Sequence, residues 1–136
     1  MDNSSAYIAG IIDGEGTITL SRFSKTAKYR YLVVSVSSTT IQILEFLQSK
    51  YGGSISKQKV YKKHHKQSWS WKLESRRALG LLCDVLPFLL EPEKARRARL
   101  ALSRYLEVTP RNGKYTEEMS EAKLAFEAEF FHPSTA

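Results

Sequence analysis

The residue of this sequence best suited to chemistry is Glu15, which stands between two glycines, Gly14 and Gly16. The apolar segment 6–13 before it predicts a short helix that these glycines end. We expect the Glu15 carboxylate and the Gly14 carbonyl to project together from the helix end as metal ligands. Such oxygen ligands suit Mg²⁺, with Mn²⁺ as a substitute, and a bound ion of this kind activates a water nucleophile.

The same segment carries a row of small residues, because Ala6, Gly10 and Gly14 stand four apart and share one side of a helix. The missing side chains allow another backbone to approach closely. Because the chain holds one copy of this helix, the sequence predicts a homodimer about a twofold axis, with Tyr7 and Ile11 in the same interface. Two glutamates would then meet at the axis, where divalent cations relieve their repulsion. In the alternative, the small face packs against the core of its own domain.

Residues 8–16, with the sequence IAGIIDGEG, resemble the LAGLIDADG signature position by position, with Ile in place of Leu and Glu in place of the eighth-position Asp. The chain therefore resembles the single-motif LAGLIDADG homing endonucleases. This resemblance implies an intron-encoded, homodimeric enzyme that cuts both strands of a long, pseudo-palindromic DNA site and leaves short 3′ overhangs. It makes Glu15 the metal-binding catalytic acid and leaves Asp13 as a structural residue at the helix end.

The resemblance also implies two residues that assist catalysis. The family uses a basic residue near the start of a late helix, after a P-x-L pattern, and here residues 87–89 lead to Lys94 at an interval two residues longer. In the alternative, Lys94 is one solvated charge in a basic run. The family's polar residues after the second strand correspond to residues 37–42. That stretch contains no arginine, and Gln42 is the candidate there.

The elements that must position these residues follow the order αββαββα, with additional helices at the C-terminal end. Polar and apolar residues alternate in the predicted strands, whereas apolar residues recur at helical spacing in the predicted helices. The strands are expected at residues 17–23, 29–37, 54–61 and 67–73, and the later helices at residues 41–51, 76–86, 91–106 and 116–130. The expected fold class is therefore α+β, with a curved antiparallel sheet, in a single domain that spans residues 1–136.

The alternation also predicts which side chains face DNA, because in the family the exposed face of the sheet lies in the major groove. Ile18, Leu20, Leu32, Val34 and Ile55 are expected in the core, and so are the tryptophans of the last strand. The DNA-binding set is rich in hydroxyl groups and consists of Thr19, Ser21, Phe23, Lys25, Lys28, Tyr29, Arg30, Tyr31, Ser35, Ser56, Gln58, Lys62, Lys63, Ser70 and Lys72. The lysines of the basic hairpin tip are expected to hold phosphates.

The distribution of charge points to a nucleic-acid partner. The formal net charge is +7, and residues 16–73 alone contain eleven Lys or Arg against the single acid Glu45. Such a concentration is typical of surfaces that neutralise phosphates and release their counterions. A basic surface without a partner is the alternative.

Other features exclude several classes of protein. The single cysteine, Cys83, excludes an internal disulfide and a multi-cysteine zinc site, and we expect it to be buried. No apolar run approaches the roughly 20 residues of a membrane helix, so we expect no membrane contact and a location inside a cell or an organelle.

Two other functions stay open on the same fold: a non-cleaving DNA-binding regulator, and a maturase that binds its own intron RNA. The retained Glu15 favours cleavage over the regulator.

Overall fold

The protein is described by a computed structural model that covers residues 3–60 and 66–133. Four antiparallel strands form one sheet in the order β1-β2-β4-β3. The strands are β1 (Gly16–Ser21), β2 (Tyr31–Ser38), β3 (Ser54–Lys57) and β4 (Trp69–Glu74). Successive strands pair as hairpins, and the two hairpins join through β2 and β4.

The α-helices of the described residues are α1 (Ser4–Glu15), α2 (Ile41–Tyr51), α3 (Ser75–Val85), α4 (Pro92–Arg104) and α5 (Glu117–Phe131). Local sequence explains several of their ends. Helix α4 opens with Pro92, and the Glu91 carboxylate accepts hydrogen bonds from two backbone N–H groups of its first turn. Thr116 caps α5 through its side chain. Together these elements confirm the predicted α+β fold and the αββαββα order with additional C-terminal helices.

Helix α1 is longer than predicted, because it continues through Gly14 and includes Glu15 as its last residue. Gly16 ends the helix, and its backbone passes so close to the preceding turn that an added Cβ would lie 2.7 Å from the Ile12 Cα. The strands of the first hairpin are shorter than predicted, since β1 ends at Ser21 and β2 begins at Tyr31. A loop over residues 22–30 joins them.

The core lies between the helices and one face of the sheet. Ile18, Leu20, Leu32 and Val34 are buried as predicted, Ile55 is half-buried, and both tryptophans of β4 face the same side. The prediction of a buried Cys83 is wrong, because its side chain is exposed. Helix α3 buries the stripe formed by Ala78, Leu81, Leu82 and Val85, and Cys83 lies on the other side of that helix. Within the described residues, no helix has the length and apolar character needed to cross a membrane.

A fully buried lysine lies in the C-terminal part of the chain. The Lys123 ammonium donates to Thr109 Oγ1 at 2.8 Å and lies 4.6 Å from the centroid of the Tyr105 ring. Burial lowers the pKa of Lys123 to about 8, although the nearby Glu127 charge acts in the opposite direction. An ammonium group with one polar partner among aromatic rings is costly to bury.

This burial predicts a pH-dependent stability. Above pH 8 the folded chain releases the Lys123 proton, while the unfolded chain keeps it until about pH 10.5. The unfolded state therefore binds more protons in this window, and the free energy of unfolding should rise with pH, by at most about 1.4 kcal/mol per pH unit. Urea denaturation at pH 7 to 10 should show wild type gaining stability relative to Lys123→Met. A difference between the two proteins that is constant with pH would contradict this prediction.

Candidate metal centre and nucleic-acid interface

One face of α1 is uncovered. Ile8, Ala9 and Ile12 are buried in the core of the chain. The opposite face is exposed at Ala6, Tyr7, Gly10 and Gly14, with Ile11 half-buried at its margin. A Cβ added at Gly10 or at Gly14 would meet no atom of the described chain within 4 Å. The small residues therefore do not pack against their own domain, and the alternative considered from the sequence is wrong.

Glu15 lies at the end of this helix, exposed to solvent, and borders a depression of about 410 Å³. The ends of β2 and β3 and the residue before β4 surround it. Gln58 dominates its polar wall, because its amide donates to Ser37 Oγ at 3.2 Å and its carbonyl oxygen accepts from Ser68 Oγ at 2.5 Å. Ser37 belongs to the stretch 37–42 that the sequence indicated, although Gln42 was the candidate named there. Ser68 had no signal in the sequence, because only strand pairing brings it beside Glu15. Gln42 is exposed in the first turn of α2 and is not part of this wall.

The other side of the α1 terminus is bound to the start of α4. The Asp13 carboxylate accepts hydrogen bonds from the backbone N–H groups of Leu90 and Glu91, both at 3.0 Å. The Lys94 ammonium donates to the carbonyls of Ile12 at 2.9 Å and of Asp13 at 2.8 Å. These contacts confirm Asp13 as a structural residue. They also place a positive charge at the negative end of the α1 dipole.

Lys94 is therefore not the solvated charge considered as an alternative. Its neighbours in the basic run also have partners, since Arg96 and Arg97 both bond to Glu93. The hydrogen bond from Arg96 is the main reason why the pKa of Glu93 falls to about 2. Arg99 is exposed on the outer side of α4.

The oxygen atoms left at the end of α1 fit a hard divalent cation. Lys94 occupies the carbonyls of Ile12 and Asp13, whereas none of the described hydrogen bonds reaches the carbonyl of Gly14 or the carboxylate of Glu15. Carboxylate and backbone carbonyl oxygens are ligands that Mg²⁺ accepts, with water completing its shell. The described part of one chain contains no group of three or more acidic, His or Cys ligands, so Glu15 is the only side-chain ligand that these residues offer at the end of α1.

The outward face of the sheet is polar and starts beside Glu15. In register across the sheet, Thr17 pairs with Ser35, Ser35 with Lys72, and Lys72 with Ser54. Thr19, Ser21, Tyr31 and Ser35 are half-buried on this face, Ser56 and Lys72 are exposed, and Ser70 is buried between Ser37 and Ser56. Glu74, which the sequence analysis did not include, is exposed on the same face opposite Val33.

Known structures share this fold. I-CvuI in complex with its target in the presence of Ca has a TM-score of 0.72 and 18% identity, over 98% of this chain and 83% of that one. The archaeal intron-encoded homing endonuclease I-Vdi141I complexed with DNA has a TM-score of 0.59 and 15% identity, and the match covers 97% of this chain and 84% of that one. The I-SmaMI LAGLIDADG homing endonuclease bound to cleaved DNA has a TM-score of 0.66 and 24% identity, over 97% and 45%. No family model and no curated protein matches the sequence.

The chain has the fold of the LAGLIDADG homing endonucleases. At these identities the likeness is one of fold, and it extends over nearly the whole chain rather than over the motif alone. The nine residues of the motif, 8–16, form the second part of α1 and the first residue of β1.

Tyr29, which the sequence predicts on the outward face of the second strand, and Arg30, another member of the DNA-binding set, both lie outside the sheet. Tyr29 and Arg30 precede β2 instead of belonging to it. The Tyr29 ring stacks on the Tyr115 ring, with centroids 3.8 Å apart, and the Tyr29 hydroxyl forms a hydrogen bond with the Ser120 hydroxyl of α5. The backbone N–H of Arg30 donates to the Glu127 carboxylate at 3.0 Å. The predicted position of Tyr29 on the exposed face of β2 is wrong, because the chain turns toward α5 before the strand begins.

The remaining members of the DNA-binding set lie in three places along the chain. Phe23, Lys25 and Lys28 are exposed in the loop between β1 and β2. Lys62 and Lys63 lie outside the described residues. Gln58 lies directly after β3, where it forms the wall beside Glu15.

The contacts of Lys94 lead to a prediction on stability. Lys94→Met should remove two hydrogen bonds from a charged donor and leave the end of α1 uncompensated, which costs about 1.5 to 3 kcal/mol. The free energy of unfolding from urea denaturation measures this loss. Arg99→Met, an exposed change on the same helix, is the control and should alter stability by less than about 0.5 kcal/mol. Equal stabilities of the two variants would contradict the role given to Lys94.

Proposed function

We propose that this chain is a site-specific homing endonuclease that acts as a homodimer on a long, pseudo-palindromic DNA site and breaks both strands, leaving short 3′ overhangs. The observation that carries this proposal is the exposed Glu15 at the end of a helix whose small-residue face is uncovered. Packing two such faces brings two copies of Glu15 together beside two polar sheet faces. One chain contains half of that arrangement.

The proposed dimer explains the incomplete ligand set of one chain. Glu15 and the Gly14 carbonyl of each copy would hold Mg²⁺, or Mn²⁺ as a substitute, which supplies activation of a water and stabilisation of the leaving 3′ oxygen. Leu90, 86% exposed and bound through its backbone to Asp13, extends the uncovered surface next to α1.

The structural relatives support the proposal at a coarser level. I-SmaMI is bound to cleaved DNA, and I-CvuI is seen with its target in the presence of Ca. The present chain spans 83% of I-CvuI but only 45% of I-SmaMI.

The sheet face would read the DNA through hydroxyl groups more than through arginine. Thr19, Ser21, Ser35 and Ser56 make single or water-mediated contacts with base edges, whereas bidentate arginine pairs discriminate by about 1–3 kcal/mol each. Lys72 lies in the middle of this face. We therefore expect a long site that tolerates substitutions at many positions.

Gln58, with the hydroxyl groups of Ser37 and Ser68, would position a water or a phosphate beside Glu15, in place of Gln42, which the sequence had suggested as an assisting residue. Gln58→Leu removes the bonds to Ser37 and Ser68 and should slow cleavage by roughly 10- to 100-fold, because a misplaced water or phosphate costs about that much. DNA affinity in Ca²⁺ should stay within about twofold of wild type. Gln48→Leu, an exposed glutamine on α2, is the matched control and should cleave normally. A loss of affinity without a loss of rate would instead make Gln58 a base contact.

The direct test is cleavage of a supercoiled plasmid library by the purified chain in Mg²⁺, followed by sequencing of the linear ends. Cleavage with 3′ overhangs at related sites supports the proposal. Binding without cleavage under any divalent ion supports the non-cleaving regulator, and binding of intron RNA alone supports the maturase. The DNA that flanks the reading frame adds an independent check, because the joined exons of an interrupted gene would spell the target.

A further inference from the structure

A second concave site lies at the end of the sheet opposite Glu15. Strand β1 begins next to Glu15 and ends at Ser21, whose partner Tyr31 lines a cleft of about 490 Å³. Strand β1 advances five residues from Gly16 to Ser21, which places the cleft roughly 17 Å or more from Glu15. The loop between β1 and β2, the start of α3 and the connection between α4 and α5 form its walls.

The cleft is strongly basic. Its cationic side chains are Lys28, Arg30, Arg76 and Arg111, and none of the described residues that line it is acidic. Arg30 pairs with Glu127 behind the wall, and Arg76 donates to a backbone carbonyl of the connection between α4 and α5. Lys28 and Arg111 are exposed, and the described residues provide no ion pair for either. The Lys28 ammonium lies 5.4 Å from the centroid of the Tyr29 ring, a contact that leaves it able to bind an anion, as Arg111 also can.

The cleft is also aromatic. Phe23 stacks on Tyr31, with ring centroids 4.2 Å apart and an angle of 19°, yet 78% of Phe23 is exposed. Tyr29 stacks on Tyr115 in the same way. Burial raises the pKa of Tyr115 to about 12, so its hydroxyl stays neutral beside an anion. Phe23 is thus supported on one ring face by Tyr31 and is largely exposed, in a cleft that Lys28 and Arg111 also line.

We propose that this cleft binds an unpaired nucleotide of a single-stranded nucleic acid, with the base stacked on Phe23 and its phosphates held by Lys28 and Arg111. A flat ring beside exposed cations matches a base and its phosphates, and stacking on aromatic side chains is how proteins hold unpaired bases. The nearby carboxylates of Glu74 and Glu127 do not line the cleft, and Glu127 is paired with Arg30. A base inside a duplex is stacked on both faces and cannot use the Phe23 ring. The site is separate from Glu15, and it needs no cleavage.

Fluorescence anisotropy with labelled oligo-U and oligo-dT in EDTA tests the proposal. Phe23→Ala should weaken binding about 5- to 150-fold, the equivalent of the roughly 1–3 kcal/mol of one stacked base. Phe23→Trp keeps a stacking ring and should restore binding, with quenching of the new tryptophan on addition of oligonucleotide. Tighter binding of oligo-U identifies RNA as the source of the nucleotide, and tighter binding of oligo-dT identifies DNA. Unchanged affinity in Phe23→Ala overturns the proposal.

The salt dependence of binding separates the phosphate contacts from general attraction to a basic protein. Arg111→Gln should lower the slope of log K against log salt by about 0.7, the value for one phosphate contact on a single strand. Arg99→Gln makes the same charge change outside the cleft and should leave the slope unchanged. Equal slopes for the two variants overturn the proposal. It is also overturned if UMP displaces the oligonucleotides at concentrations similar to those at which the oligonucleotides themselves bind. None of these measurements depends on endonuclease activity, so either proposal can fail alone.

Discussion

Glu15→Gln is expected to abolish DNA cleavage, by roughly 1000-fold or more, while target binding in Ca²⁺ stays within a few-fold of wild type. The change keeps the size of the side chain but removes the charge that holds the cation. Several kcal/mol of charge stabilisation depend on that ion, and each 1.4 kcal/mol corresponds to a factor of ten in rate. Single-turnover cleavage of a plasmid that carries the selected target, in Mg²⁺ and in Mn²⁺, measures the loss.

Glu45→Gln is the matched control for this experiment. It makes the same chemical change at an exposed position on α2, at the only acid between residues 16 and 73. Its cleavage rate should equal that of wild type. Wild-type rates in the Glu15 variant would remove Glu15 from the mechanism, and equal losses in both variants would point to a general effect of charge.

Gly10→Leu is expected to convert the proposed dimer into a monomer that folds but no longer cuts both strands. The added side chain meets nothing within the chain itself, so the monomer should gain up to about 1 kcal/mol from removing a helical glycine. In the dimer the two copies of the new side chain meet near the axis. Overpacking costs about 1–3 kcal/mol per site, so the dimer should dissociate roughly 100-fold more readily. Sedimentation equilibrium and urea denaturation measure the two effects.

Gly80→Leu provides the control for helix propensity. Gly80 is also an exposed glycine within a helix, α3, with open space around its Cα. This variant should show the same gain in monomer stability with no change in oligomeric state. If Gly10→Leu remains a dimer with wild-type affinity, the face of α1 is not the interface.

Periodicity was sufficient to predict most of the fold. Leu32 and Val34 alternate with polar neighbours, and that alternation places them in the core because successive side chains of a strand point to opposite faces. The same rule fails where a strand ends. Tyr29 continues the alternation of β2 in the sequence, but it belongs to a loop that packs on α5. Alternation contains no information on Tyr115, 86 residues later in the chain, against which Tyr29 packs instead of joining the strand.

Cys83 shows the same limit in a helix. An apolar run around a cysteine suggests burial, because the run contains Leu81, Leu82 and Val85. Only the orientation of α3 on the sheet decides which stripe of that run is covered, and Cys83 falls outside it. A helix that is apolar on several sides leaves more than one possible stripe, so the choice depends on tertiary packing.

The sequence by itself determined the exposed acid after a helix of small residues, the excess of positive charge and the polar face of the sheet, because these features are local or depend on spacing along one element. Tertiary structure decided everything that joins distant segments: Lys94 on the carbonyls of α1, Gln58 between Ser37 and Ser68, and the cleft around Phe23. Hydrogen bonds and ring contacts of this kind require positions accurate to a fraction of an ångström. Residue spacing along the chain cannot supply that accuracy, whereas the packed core can.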